Sequence, residues 1–294
     1  MEALAINHID PPLDFSQPQQ YLDVGNADLA YWKIGRGPDL ILVHGWPLHA
    51  ATYRQVVEQL KQHFTCHLFD LPGAGHTKTN AQTSYHFHAT ARSLVSVRKT
   101  LGIRKYGLIG HDSGGAVARF MADIDTNAVT ALLLADTEIP HYHSKLIRLL
   151  VAMGKRPIRF ELYARLLRYK LFRHSNLGFG GCFSDTRKIE NDFFSLFAKP
   201  MFDNPNVLHG QRQVAASMSL KDINALQATH RRIKQPVLLR WGEQDPFFPV
   251  KKAWDMLADF DNGEMVVIED GKLLIHEEFP DKFAEYARKF FIKI

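Results

Sequence analysis

Only two cysteines occur in the 294 residues, Cys66 and Cys182, far apart and without metal-ligand spacing. That excludes a disulfide framework and a cysteine-built metal site; both are read as buried apolar side chains, and no metal or other cofactor is expected. Long apolar runs are also missing: no stretch approaches the ~18–20 residues that span a bilayer. The N-terminal MEALAINHIDPPLDFSQPQQ carries acidic residues early and no apolar core with basic flanks, so neither a leader nor a membrane partner is expected and a cytoplasmic location is the default. Charge of one sign is not gathered into a tail: 36 basic and 31 acidic residues leave a formal +5. No nucleic-acid motif accompanies the excess, so a nucleic-acid partner is not expected. A local basic excess does run from Lys145 to Arg173, including Arg148, Lys155, Arg156, Arg159, Arg165, Arg168 and Lys170. It reads as solvated helix faces, the alternative being attraction of anionic substrates. Repeats and low-complexity tracts are lacking.

What is present is an alternation. Apolar runs suited to buried parallel strands (LILVHG, CHLFDLPGAG, KYGLIGH, VTALLLAD) alternate with stretches of helical period (AATYRQVVEQLKQHF, HATARSLVSVRKTLG, AVARFMADI). This is the pattern of crossover units on a parallel sheet, an α/β architecture. Upstream, YLDVGNADLAYWKIG reads as a hairpin around Gly25-Asn26. After Pro140 the strand rhythm stops for some ninety residues of helical, aromatic and basic character. It resumes at QPVLLRWGEQD and EMVVIEDG and closes with a helix in FPDKFAEYARKFFIKI. Residues 1–140 and 233–294 are therefore assigned to one core domain and 141–232 to a helical cap. An insertion there lies over the carboxyl ends of the strands, where open α/β sheets place ligands.

The chemical signal is Gly110-His111-Asp112-Ser113-Gly114-Gly115, between an apolar strand and a helix. A strand-to-helix turn this sharp needs small residues two before and two after the nucleophile, and both are glycine around Asp112. Ser113 as nucleophile would put the His111 ring where the turn is crowded. His44-Gly45-Trp46-Pro47 ends an earlier strand, and the backbone N–H groups of Trp46 and Ser113 are assigned to an oxyanion hole. Asp70-Leu71-Pro72-Gly73-Ala74-Gly75 reads as scaffold.

The set HGWP, DLPGAG, GHDSGG and WGEQD, in that order and spread over most of the chain outside the cap, resembles the α/β-hydrolase superfamily. An aspartate in the elbow is similar to the epoxide hydrolase and haloalkane or haloacetate dehalogenase branch. The resemblance implies an α/β-hydrolase fold, a small-molecule substrate and a covalent ester on Asp112. It also implies an acid, a histidine that activates water to cleave that ester, and cap tyrosines that protonate an opening epoxide. Asp245 stands where most of the superfamily carries the acid and Asp136 where some dehalogenases do; Asp245 is preferred on chain order. Tyr142, Tyr163 and Tyr169 are the cap candidates. Haloacetate dehalogenases follow the nucleophile with arginines, where this chain has Ser113 and Ala116; haloalkane dehalogenases place tryptophan where Ser113 stands. Epoxide hydrolysis is therefore the first expectation. Dehalogenation, hydrolysis of an activated ester and ligand binding without turnover are the alternatives.

The histidine departs from the family. Aligned on Glu277-Glu278 and Pro280, the expected position falls at Leu273, which cannot move a proton. His276 is the one histidine of this segment, about a helical turn late. Either a slipped loop brings His276 inward as the base, or it faces solvent and the histidine is absent, by natural loss or by design.

Overall fold

The computed structural model describes residues 13–294, so most of the stretch inspected for a leader lies outside the described residues. The hairpin forms between β1 (Gln20–Asp23) and β2 (Ala27–Gly35), whose antiparallel register pairs Leu22 with Leu29. Then follow β3 (Asp39–Val43), α1 (Arg54–Leu60), β4 (Thr65–Phe69), the short β5 (Lys78–Thr79) and α2 (Phe87–Thr100). β6 (Tyr106–His111), α3 (Ser113–Ile124) and β7 (Val129–Ala135) complete the first half. After the insertion come β8 (Val237–Gly242) and β9 (Gly263–Ile268). Among the described residues the strand order is β1-β2-β4-β3-β6-β7-β8-β9, with β5 on β2; β2 pairs antiparallel to β4, and every pair from β4–β3 to β9 is parallel.

β6 and β8 are buried along their whole length. Strands covered by helices on both faces have no reason to alternate, which is why these runs read as continuous apolar sequence. α3 is buried at ten of its twelve residues, packed against α2 and the sheet. This explains the Gly-Gly-Ala start that lets the helix lie close to the strand ends.

Residues 141–232 contribute no strand. They form α4 (Lys145–Gly154), α5 (Pro157–Leu166), α6 (Lys170–Arg173), two short turns, α7 (Pro200–Asp203), α8 (Pro205–Ser217) and α9 (Leu220–Arg232). Polar caps set the starts of α4, α8 and α9. Ser144 Oγ accepts from Ile147 N–H (3.2 Å), Asn204 Oδ1 from Asn206 N–H (3.0 Å) and Ser219 Oγ from Asp222 N–H (3.2 Å). Phe179, Phe183 and Phe197 pack around Phe193 at ring separations of 5.0–5.1 Å, giving this layer an aromatic core. The basic residues between Lys145 and Lys170 are exposed, while Arg173 is buried and pairs with Glu190. The chain closes with α10 (Val250–Leu257), α11 (Ile275–Glu278) and α12 (Pro280–Ile292), which buries Phe283, Ala287 and Phe290 at helical spacing.

Candidate active site

β6 ends in a turn that holds Asp112 at φ 49°, ψ −132°, a left-handed φ that a non-glycine residue adopts only under constraint. The flanking glycines provide that constraint. A Cβ on Gly110 would stand 2.8 Å from the Gly114 carbonyl oxygen, and one on Gly114 would overlap the Val43 carbonyl oxygen. The turn lifts the Asp112 carboxyl above the sheet, where Oδ2 accepts from the Trp46 N–H (2.9 Å) and the carboxyl also meets the Ser113 N–H. Both backbone donors assigned to an oxyanion hole thus face this carboxyl. The Trp46 N–H is shared with Ser113 Oγ (3.0 Å), so that hydroxyl lies beside the donor loop.

The donor loop is braced on both sides. His44 Nε2 accepts from the Leu71 N–H (2.9 Å), and burial lowers this histidine to about 4, keeping it neutral. Asp70 accepts from Ala50 N–H and His76 N–H, the scaffold role expected of its turn. The Trp46 indole N–H donates to the Gln211 carbonyl (3.0 Å), tying the loop to α8.

Asp112 opens into a small chamber between the strand ends and the inserted helices. Its wall is apolar: Leu146 and Leu150 from α4, Phe179, Met218, Phe248 and Leu273. The titratable groups lining it are Asp112, Glu138, Tyr163 and Cys182. Burial pushes the Tyr163 phenol and the Cys182 thiol up, so both keep their protons at neutral pH. Burial, and next the charge of Glu138, also pushes Asp112 well above the usual carboxylate range.

The tertiary arrangement separates the remaining candidates. Tyr163 lines the chamber, whereas Tyr142 is not among the lining residues and Tyr169 is 61% exposed. Asp136 and Asp245, proposed as alternatives, prove to be neighbours. Asp136 Oδ1 accepts from Gly242 N–H (2.8 Å), and Asp245 Oδ1 accepts from Phe247 N–H (2.7 Å) and Phe248 N–H (3.1 Å). The two carboxyls face one another, and the Oδ2 of each has no partner elsewhere in the described protein. Burial pushes Asp245 up to about 7; burial and the charge of Asp245 drive Asp136 well above its usual range. Two carboxyls this close share a proton.

His276 is the clearest correction. It is fully buried rather than facing solvent, yet it does not line the chamber. Its Nε2 pairs with Thr52 Oγ1 (2.7 Å), and its ring lies 4.3 Å from that of His111. Burial, then the neighbouring His111, holds it well below its usual pKa. The helix start at Ile275 turns it beneath the strand ends, while Leu273, three residues earlier, presents its side chain to the chamber. The Leu273 carbonyl accepts from His111 Nε2 (2.9 Å), which pins the loop in this register. Burial lowers His111 to about 4.

Glu138 escaped sequence reasoning. It follows Asp136 by two residues past the end of β7, and that spacing in DTE was the one available signal. Thr137 Oγ1 donates to Glu138 Oε2 (2.9 Å) or to the Asp112 carbonyl (2.8 Å), and accepts from Arg119 Nη2 (2.8 Å). Arg119, fully buried in α3, sits 3.6 Å from Glu138 Oε2. Burial lowers its pKa only to about 10, so it stays charged. Glu138 is itself pushed up by burial, against the opposing effect of Arg119.

No group of His, Cys, Asp and Glu side chains suited to a metal ion occurs among the described residues, and no described helix is long and apolar enough to cross a membrane. A parallel sheet ending in a nucleophile elbow beneath a helical layer defines a hydrolase of the α/β class. More particularly, the chain belongs to the α/β-hydrolase fold family, whose model matches residues 38–280. Among curated proteins it is similar to a pimeloyl-[acyl-carrier protein] methyl ester esterase of Vibrio vulnificus (strain YJ016), 28% identical over 236 residues, covering 79% of this chain and 85% of the relative. In fold it is similar to the epoxide hydrolase CorEH (TM-score 0.77, 23% identity, 91% of this chain and 95% of that one). It is equally similar in fold to a meta-cleavage product hydrolase from Pseudomonas fluorescens IP01 (TM-score 0.79, 16% identity, 95% and 99%).

Proposed function

We propose that this hydrolase attacks an sp³ carbon of a small apolar electrophile, an epoxide first of all, and carries the substrate as an ester on Asp112. The observation that supports this most is the Asp112 carboxyl itself, raised into an apolar chamber and met by the N–H groups of Trp46 and Ser113. A carboxylate displacing at a saturated carbon gives an ester. Attack on the carbonyl of a methyl ester, the substrate class in the name of the curated relatives, would instead give a mixed anhydride more reactive than the starting ester. Opening an epoxide leaves an alkoxide, and the Tyr163 phenol, kept protonated by burial, is the donor available to it. Residues 141–232 supply most of the apolar wall and so select the substrate.

Because burial and Glu138 hold Asp112 protonated to unusually high pH, alkylation quickens as pH rises through that raised value. Incubation with a small panel of epoxides, haloalkanes and aryl esters, followed by intact mass and peptide mapping, is the test. The expected result is a mass increase on Asp112 with an epoxide, abolished in Asp112→Asn, which is nearly the same size and should fold normally. An adduct on Ser113, or an epoxide diol formed equally fast by Asp112→Asn, would overturn the reading.

A further inference from the structure

Cleavage of an ester on Asp112 requires a proton acceptor in the chamber, and the side chains that line it narrow the choice. Leu273 has no proton chemistry, and His276 faces Thr52 and His111. Tyr163 and Cys182 already hold their protons, and Asp112 would be esterified. One titratable side chain of the lining remains. We infer that Glu138 is the proton-transfer residue of this site, taking the proton of the water that cleaves the Asp112 ester; the inference rests on Asp112 being the nucleophile.

The geometry suits the task. Glu138 Oε2 and the Asp112 main-chain carbonyl oxygen both lie within hydrogen-bond reach of the one Thr137 hydroxyl (2.9 and 2.8 Å), which can donate to either, so base and nucleophile flank a common point. Arg119, locked by Thr137 and by the Gly115 and Glu138 carbonyls (2.8–3.0 Å), supports the carboxylate from beneath. In the free enzyme Asp112 and Glu138 oppose one another's ionisation. Esterification removes the Asp112 charge that competes with it, and leaves the Glu138 carboxyl, facing Arg119, beside its reacting partner.

The step balances without a further reagent. Water gives one proton to Glu138 while its oxygen bonds to Cγ of Asp112, and the carbonyl electron pair moves onto the oxygen held by the Trp46 and Ser113 N–H groups. On collapse that pair re-forms the carbonyl and the bond from Cγ to the alkyl oxygen breaks. The departing oxygen takes the proton from Glu138. Alcohol and free Asp112 result, the alcohol being a diol when the substrate is an epoxide.

The test follows the Asp112 adduct through time with styrene oxide as probe, by rapid quench and intact mass, in the full chain and in Glu138→Gln. Expected is alkylation no slower than in the unaltered protein, with adduct decay slowed by about 10²–10⁴, the usual worth of general-base assistance. A purely structural role for Glu138 would slow both phases together. Glu138→Asp keeps the charge facing Arg119 but withdraws the carboxyl by one methylene. Slowed decay with unchanged alkylation in this variant supports the inference even where Glu138→Gln fails to fold. Adduct decay at the unaltered rate in either variant overturns it. Failure of the Asp112 reading looks different: no adduct forms on Asp112 in any of the proteins, and both readings then fall.

Discussion

At the scale of single residues, the site turns on what stands at 273. Two buried carboxyl oxygens, Asp136 Oδ2 and Asp245 Oδ2, have no donor from the rest of the described protein. The loop carrying Leu273 is bonded to the loop carrying Asp245 through the Gln244 N–H and the Gly271 carbonyl (2.8 Å). An imidazole at 273 would face the chamber, as the Leu273 side chain does. Leu273→His is expected to accelerate decay of the Asp112 adduct, by up to the 10²–10⁴ typical of a positioned base, and to leave alkylation little changed. Single-turnover mass kinetics check this; an unaltered decay rate would show that the new ring does not reach the ester. His276→Ala, by contrast, removes a ring that makes its contacts with Thr52, Tyr53 and His111, so its effect belongs to stability.

At the scale of elements, the decisive junction is the turn from β6 into α3. Close approach holds its backbone, together with the Thr137 hydroxyl at the Asp112 carbonyl: a Cβ on Gly114 would overlap the carbonyl oxygens of Val43 on β3 and His44 in the donor loop. Gly114→Ala must push α3 away from that loop. Overpacking of this kind typically costs about 1–3 kcal/mol, which urea unfolding would register. The same displacement separates Asp112 from the Trp46 N–H, so adduct formation should fall more than stability does. An alanine variant with unimpaired alkylation would mean that the elbow tolerates a wider turn than its contacts indicate. Much of this element was legible beforehand, because Gly-x-Asp-x-Gly between an apolar strand and an amphipathic helix admits few backbone paths. Glu138 was not, since its role depends on Arg119 and Thr137 arriving from different elements.

At the scale of the whole molecule, buried ionisable groups give stability a marked pH dependence. The folded protein holds a proton on Asp245 up to about pH 7, whereas the unfolded chain loses it near 3.8. Between those values the folded state binds more protons, so this pair's contribution declines as pH rises. The buried neutral histidines His44 and His111, lowered from 6.5 to about 4, act in the opposite sense over most of that window, where the unfolded chain binds the protons. Comparing two proteins that share these histidines isolates the acid pair. In Asp136→Asn the side-chain oxygen can still accept from Gly242 N–H, and the amide can donate to Asp245 without a titrating proton. The variant should therefore lose stability less steeply than the unaltered protein between about pH 5 and pH 8, as read from urea midpoints. A steeper decline would place the shared proton elsewhere.

The sequence by itself determined the α/β layering, the order of the strands' motifs, the elbow around Asp112, the helical character of residues 141–232 and the absence of histidine at 273. These are properties of local period and turn geometry, and a strand buried on both faces or a turn between two glycines announces itself within a few residues. The tertiary structure alone decided that Asp136 and Asp245 are partners rather than rivals. It also turned His276 under the sheet and brought Tyr163 but not Tyr169 to the chamber. It alone faced Glu138 toward Asp112, because each of these depends on where distant segments cross and on how burial and neighbouring charge act on a carboxyl once water is excluded.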